Sequence, residues 1–406
     1  MYYDLIIIGN SAAGLSAIKT IRAVDKKISI AVFDKEDEPA YSRVLTPYYA
    51  GFDTDREHLY IVDRNFYSKN GVYTYLGQEV IKIDTNRKTI HTQNSMYTYK
   101  YLLIASGASA KPPHIKHNKV LTLRNISDAD KLHEFFASAK SVSALGAGLV
   151  SIPTLSHLKD DVKKHIIVSS DRVFSQVVDK EASYILEEVF KNKNVFIYKH
   201  DDVESAQDNK DGSIKLTLKS DQTIDCDCLL VGKGVVPNVL FLKDELDIDN
   251  GIIIDEHCKT SAQDVYAAGD CAKGKDFITG KSLVQGNWIT AVEQASIAAK
   301  NIAGFDVSYE GSIKNNTTEV FGIDVAVVGY NKDDAESIEF FDPQRNFYRK
   351  LFFDESSVII GATLIKDTND AGLYYNLVKT RTKINTFHNL NQFANYAKFL
   401  RSINYR

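Results

Sequence analysis

Cysteine is scarce in this chain. Only four occur in 406 residues, Cys226, Cys228, Cys258 and Cys271. They form no C-x-x-C pair and none of the spacings that hold zinc or an iron–sulfur cluster. Long apolar runs are missing too. Residues 5–8 are a typical stretch, far short of the roughly 20 residues that a bilayer helix needs. No block of Lys and Arg is present to follow a phosphate backbone, and the net charge is −4, so nucleic acid is not an expected partner. Apolar residues begin close behind Met1 and leave no room for a cleavable signal segment. A cytoplasmic location, off the membrane, is the resulting expectation.

What remains is globular in composition, 44% apolar and 25% charged, with length for two to three domains. Residues 5–8 read as a fully buried strand, followed by a glycine loop from Gly9 to Gly14. Leu15, Ile18 and Ile21 then recur at helical spacing, and residues 28–33 read as a second strand ending at Asp34. Residues 80–83 and 89–91 predict a hairpin across Asn86-Arg87, and a strand over 101–105 runs into Ser106-Gly107.

The pattern then restarts. Residues 141–145 predict a strand, Gly146-Ala147-Gly148 a tight loop, and Leu149 onward a helix. Residues 165–168 predict the next strand. Strands at 195–198 and 214–218 are expected around the Asp211-Gly212 turn, and residues 229–232 close this second unit. The two units form an approximate internal repeat. The last hundred residues differ. Strands are expected at 325–328, 347–353 and 358–364. A helical stripe of Leu390, Phe393, Ala394, Ala397 and Leu400 follows, as core of a third domain or as a docking surface.

The first fingerprint is Gly9-x-Ser11-x-x-Gly14, with Ala13 inside it and Asp34 twenty residues beyond. A pyrophosphate must approach backbone N–H groups at a helix N-terminus, which demands small residues in the loop. A carboxylate at the end of the next strand can accept hydrogen bonds from a ribose hydroxyl pair. The second fingerprint is Gly146-x-Gly148-x-x-Ser151, running through Leu149 and Val150, and here Ser169 occupies the acid's place. Ser169 and Ser170 would not repel a 2'-phosphate and Arg172 could pair with one, a tilt toward NADPH. The bland reading of this second loop is a nucleotide fold that no longer binds. Cys226 and Cys228 alternate with Asp225 and Asp227, so both thiols are expected on one strand face, as core residues or as a redox or metal pair. His114 and His117 follow Pro112-Pro113 in an apparent linker, without a third ligand for a metal.

With these motifs in order, the chain resembles the flavoprotein reductases that carry two dinucleotide folds. NADH:rubredoxin reductases, the flavin module of the nitrite reductase large subunit, and ferredoxin reductases of oxygenases are the most similar groups. The resemblance implies an α/β architecture of two Rossmann-like domains plus a C-terminal α+β domain. An FAD domain would take residues 1–113 and 239–308, an NAD(P) domain 114–238, and the C-terminal domain 309–406. It implies FAD contacts from Gly9, Ser11, Ala13, Gly14, Asp34, Lys35, Val80, Ala105, Ser106, Gly107 and Gly269. Arg43 would lie near the pyrophosphate and isoalloxazine, Asp270 on the ribityl chain, and Trp288 and Gln294 on a helix packed against the flavin. Gly146, Gly148, Leu149, Val150, Ser169, Arg172 and Gly232 would serve NADH or NADPH, Gly232 beside the nicotinamide.

Departures from the family pattern carry information as well. The disulfide-reducing relatives place one or two cysteines soon after the first acid, and here Val44 stands where a single such cysteine would. Pro153 replaces a glutamate that lines the nicotinamide pocket in many relatives. The resemblance therefore implies hydride transfer from NAD(P)H to FAD, with electrons leaving to an external rubredoxin, ferredoxin or iron–sulfur subunit. A homodimer is possible. The rival readings are an NAD(P)H oxidase, a flavin subunit of a larger complex, and a non-catalytic FAD-binding regulatory or scaffold protein.

Overall fold

The computed structural model describes residues 1–383 apart from Lys243 and Pro343. The chain forms two compact units. One contains Met1–Thr46, Thr54–Lys111 and Gly234–Ser312; the other contains Pro47–Asp53, Pro112–Lys233 and the chain from Ile313 onward. Among the described residues no helix is long and apolar enough to cross a membrane.

In the first unit a sheet runs in the order Val72–Leu76, Ile30–Asp34, Tyr2–Ile8, Met96–Ile104, Thr89–Thr92, Val80–Asp84. The strands from Val72–Leu76 to Met96–Ile104 are parallel neighbours, and the last three form an antiparallel meander. Val265–Ala267 joins Met96–Ile104 in parallel, which brings a late part of the chain to the end of the central strands. Leu5, Ile6, Ile7, Ala31, Val32 and Phe33 are fully buried. Parallel strands covered on both faces read as continuous apolar runs, which is why this strand was legible from its four residues. The helices Ala12–Val24 and Trp288–Ile302 pack together, with a Ser16 to Val292 carbonyl bond of 3.2 Å and paired Thr20 and Ser296 hydroxyls.

The second unit holds a parallel sheet ordered Val195–Lys199, Lys163–Val168, Ser141–Leu145, Cys228–Val231, Val120–Leu121. A three-stranded antiparallel sheet follows, Val203–Asp208, Ile214–Leu218 and Thr223–Cys226. Two expectations change here. The hairpin across Asp211-Gly212 uses Val203–Asp208, because Val195–Lys199 is spent pairing with Lys163–Val168. Cys226 and Cys228 do not share a strand: they close one sheet and open another. The cause is Asp227, whose carboxylate accepts the N–H groups of Lys140 and Ser141 and turns the chain between the sheets.

The C-terminal part of this unit is an antiparallel sheet ordered Asn315–Val320, Ile323–Gly329, Ile359–Ile365, Phe347–Phe353, Glu336–Asp342. The helix Ala371–Lys379 packs on it, burying Tyr374, Leu377 and Val378. That helix and the strands Asn315–Val320 and Glu336–Asp342 escaped the sequence reading. The stripe from Leu390 to Leu400 lies outside the described residues. Residues Pro47–Asp53 belong with this unit through aromatic contacts: Tyr49 stacks on His133 at 4.7 Å, and the Tyr48 and His157 rings meet tilted at 4.5 Å.

Candidate functional site

The first loop leaves the strand Tyr2–Ile8 at Gly9, whose φ of +108° suits glycine. A Cβ on Gly9 would lie 2.0 Å from the Ala105 carbonyl oxygen, and one on Gly14 2.0 Å from the Gly9 carbonyl oxygen. These two glycines let strand, loop and helix touch backbone to backbone. Ser11 caps the helix Ala12–Val24 without spending its side chain on a cap bond, and no acid lies in the first turn. The helix end therefore offers N–H groups and a positive dipole with no competing anion on its own chain.

Asp34 ends the second strand and ties this loop down. Its Oδ2 accepts the Asn10 N–H at 2.7 Å and its Oδ1 the Glu36 N–H at 2.9 Å. Burial pushes the Asp34 carboxyl above its ordinary pKa, against the pull of the N–H groups from Glu36 and Asn10. A carboxylate has lone pairs beyond these two bonds, and those can take a ribose hydroxyl. Asn10 is itself fixed: its Oδ1 accepts from the Tyr67 hydroxyl at 2.9 Å, and its Nδ2 donates to the Glu38 carbonyl at 3.2 Å. Neither Asn10 nor Tyr67 was found by sequence reasoning.

The other predicted FAD residues lie in several places. Ala105, Ser106 and Gly107 follow the strand Met96–Ile104, next to Gly9, and Asn238 locks them. The Asn238 Nδ2 donates to the Ser106 carbonyl at 2.9 Å, and its backbone N–H to the Gly107 carbonyl at 2.9 Å. Gly269 and Asp270 follow Val265–Ala267, so they emerge beside those same strand ends. The Gly269 N–H is held by Gln294 Oε1 at 2.9 Å, and the Gln294 Nε2 donates to the Tyr309 hydroxyl at 3.4 Å. Asp270 is half-buried, and the residue across from it is Gly286. Arg43 joins a local cluster, its Nη2 2.5 Å from Glu36 Oε1 and its guanidinium 5.0 Å from the Tyr41 ring centre. Lys35 is exposed, Val80 is buried at the start of Val80–Asp84, and Trp288 opens its helix half-buried.

The glycine positions and a helix end without a side-chain cap bond fit a dinucleotide's pyrophosphate. Loop and helix would offer N–H groups to the phosphates, and the Asp34 and Asp270 carboxylates would offer acceptors to hydroxyls.

The second loop repeats the first with differences. Gly146 has φ +101°, and a Cβ on it would lie 2.5 Å from the Gly232 carbonyl oxygen. A Cβ on Gly148 would meet nothing within 4 Å, so that side of the loop is open to a ligand. The helix does not begin at Leu149. It spans only Ser151–Ser156, with Leu149 and Val150 in the turn before it. Val150 at the cap position has no side-chain acceptor to start the helix earlier. Pro153 sits in the first turn, where its missing N–H costs little. Ser169 is exposed just past the strand Lys163–Val168. Arg172 is engaged by carboxylates: Nη1 is 3.1 Å from Asp171 Oδ1 and Nη2 3.7 Å from Asp333 Oδ2.

Gly232 faces Ser151, and a Cβ on it would lie 2.1 Å from the Ser151 Oγ, a buried hydroxyl without a hydrogen-bond partner. Gly232→Ala is therefore expected to destabilise the fold by about 1–3 kcal/mol through overpacking. Adding Ser151→Ala should recover most of that loss, read as the urea midpoint of the single and double variants. Recovery of less than half would mean that the clash is not with this hydroxyl.

His114 is exposed, with Nε2 2.8 Å from the Val203 carbonyl oxygen, and His117 lies 3.4 Å from Asp208. All four cysteines are buried free thiols. Burial pushes the Cys226 thiol up to about 11 and raises those of Cys228, Cys258 and Cys271 as well. At neutral pH such groups are protonated and poor nucleophiles.

Two sheets with parallel central strands, each with a glycine loop at the end of one of those strands, define the class of flavoproteins with paired dinucleotide folds. The chain belongs to the pyridine nucleotide-disulphide oxidoreductase family, whose model matches residues 3–300. Members of this family use FAD and NAD(P)H. Residues 315–382 match the rubredoxin NAD+ reductase C-terminal domain. The chain is 27% identical over 394 residues to nitrite reductase [NAD(P)H] of Bacillus subtilis, covering 94% of this chain and 48% of that relative. It thus spans about half the length of the curated relative it matches there. It is 29% identical over 390 residues to the NADH-dependent phenylglyoxylate dehydrogenase subunit epsilon of Aromatoleum evansii, covering 93% and 92% of the two chains. The water-forming NADH oxidase of Lactobacillus brevis superposes with a TM-score of 0.88 at 21% identity, covering 94% of this chain and 92% of that one, a likeness of fold.

Proposed function

We propose that this chain moves electrons between NAD(P)H and an external one-electron iron–sulfur carrier of the rubredoxin or ferredoxin kind, without a cysteine relay. One NAD(P)H gives up a hydride, releasing NAD(P)+, and two carriers each take one electron, leaving one proton to solvent. FAD, when bound, supplies the conversion between a two-electron donor and one-electron acceptors.

The observation that carries this reading is the placement of the thiols. All four are buried, the first at residue 226, while exposed Val44 stands where disulfide-reducing relatives place a cysteine. The match to a rubredoxin NAD+ reductase C-terminal domain supports an iron–sulfur acceptor. On this reading the first glycine loop and Asp34 hold the adenosine and pyrophosphate of FAD. Asp270, with Gly269 clamped by Gln294, holds the ribityl chain. Gly146, Gly148 and Gly232 shape the nicotinamide nucleotide site.

A second reading keeps this chemistry and makes the chain the flavin subunit of a larger oxidoreductase. Two likenesses favour it: the near full-length match to a dehydrogenase subunit and the half-length match to a nitrite reductase.

The test compares NADH and NADPH oxidation with rubredoxin, a plant-type ferredoxin, oxygen and a low-molecular-weight disulfide as acceptors. Turnover should be fastest with an iron–sulfur carrier and absent with the disulfide. Equal rates with oxygen alone, or any sustained disulfide reduction, would overturn the proposal.

A further inference from the structure

We infer that Arg172 is not a reader of the 2'-phosphate of NADPH. Held between Asp171 and Asp333, it forms an anionic clamp that favours NADH, and Asp333 is a specificity determinant. The inference rests on the second glycine loop being the nicotinamide nucleotide site.

Position comes first. In a dinucleotide fold the segment just past the second strand faces the adenosine ribose. Here that segment is residues 169–174, and the Phe174 N–H bonds the Ala147 carbonyl at 2.9 Å, which holds it against the glycine loop. The Ser170 hydroxyl donates to the Arg172 carbonyl at 2.7 Å, and the His200 N–H to the Ser170 carbonyl at 3.2 Å. The turn is fixed from both sides.

Charge decides what the segment can accept. The Arg172 side chain is only 18% exposed, and its Nε is buried without a hydrogen-bond partner. Its two terminal nitrogens face Asp171 at 3.1 Å and Asp333 at 3.7 Å. One cation between two carboxylates leaves one net negative charge where a 2'-phosphate would bring a second anion. A bidentate phosphate contact would have to displace one carboxylate first. An unphosphorylated ribose has no such conflict, because its hydroxyls can donate to the half-exposed Asp171 carboxylate.

Asp333 reaches this place from the C-terminal sheet, in the loop between Ile323–Gly329 and Glu336–Asp342. That loop is anchored: Asn331 Nδ2 donates to the Val177 carbonyl at 2.6 Å. The Asp333 Oδ1 also accepts the Lys180 N–H at 3.4 Å, at the start of the helix Lys180–Lys191. The selectivity device is thus assembled from residues about one domain apart in sequence.

The experiment is calorimetric titration of the holoprotein at low salt with two probes that lack the nicotinamide, ADP-ribose and 2'-phospho-ADP-ribose. The wild type should bind ADP-ribose at least about tenfold more tightly. In Asp333→Asn that preference should shrink about tenfold, and further in Asp171→Asn/Asp333→Asn. Asp333→Asn leaves Asp171 on Arg172, so its thermal midpoint should stay close to wild type, while the double variant, which leaves Arg172 without a carboxylate, should melt lower yet still bind ADP-ribose. Equal binding of both probes to the wild type, or an unchanged ratio in both variants, would overturn this inference alone. Binding of neither probe would overturn the nucleotide reading of the second loop, and this inference with it.

Discussion

Replacing Asp270 by alanine is expected to give folded protein that has lost most of its flavin. Asp270 follows Gly269, whose φ of +82° and whose N–H bond to Gln294 fix the direction in which the next residue leaves the strand Val265–Ala267. The strand delivers it beside Ala105 and the first glycine loop, since Ala268 N–H bonds the Ile104 carbonyl at 3.0 Å and Ala105 N–H the Ile8 carbonyl at 2.7 Å. A hydrogen bond to a charged group is worth about 1.5–3 kcal/mol, so its loss should weaken FAD binding about 10- to 100-fold. Protein purified without added flavin, assayed for the ratio of visible to ultraviolet absorbance, gives the occupancy. A folded Asp270→Ala protein with full occupancy would remove this residue from the site.

Gly14→Ala should be the more damaging change, because it strikes backbone. The added methyl would lie 2.0 Å from the Gly9 carbonyl oxygen and 3.4 Å from the Ile7 side chain, with the fully buried sheet beneath it. No side-chain rotation relieves a clash with a carbonyl, so helix and strand must separate. A cost of about 3 kcal/mol or somewhat more, at or above the top of the usual range for overpacking, is expected, with loss of flavin as the loop opens. Gly148→Ala is the control, since its methyl meets nothing within 4 Å. It should leave the thermal midpoint unchanged. Equal midpoints for Gly14→Ala and wild type would show that the close approach is not needed.

The contrast between these residues shows what the chain discloses in one dimension. Gly9, Gly14 and Asp34 were legible because strand, tight loop, helix and acid follow one another within a short stretch, each with its own local signature. The contacts that rigidify the site were not, even where a partner such as Gln294 was expected near the flavin. Asn10 meets Tyr67, Gly269 meets Gln294, and Ser106 meets Asn238. Each pair joins distant segments, and no periodicity marks an asparagine as a clamp. Arg172 shows the same limit: nothing in its neighbouring residues marks its contact with Asp333, which comes from the C-terminal part of the chain.

The misplaced elements have equally local causes. Residues 195–198 are more strand-like than 203–208, and only the pairing with Lys163–Val168 shows that the weaker segment belongs to the hairpin. Cys226 and Cys228 alternate as a strand would, yet Asp227 between them is used as a backbone anchor and breaks the sheet. The exposed strand Glu336–Asp342 offered no buried face to recognise.

The most direct test of the account is an anaerobic titration of the purified protein with NADH and, separately, NADPH, followed by visible flavin absorbance. The account predicts yellow protein that a nicotinamide nucleotide bleaches promptly and that an added iron–sulfur carrier then restores to colour. Colourless protein that cannot be reconstituted with FAD, or yellow protein that neither nucleotide reduces, would contradict it.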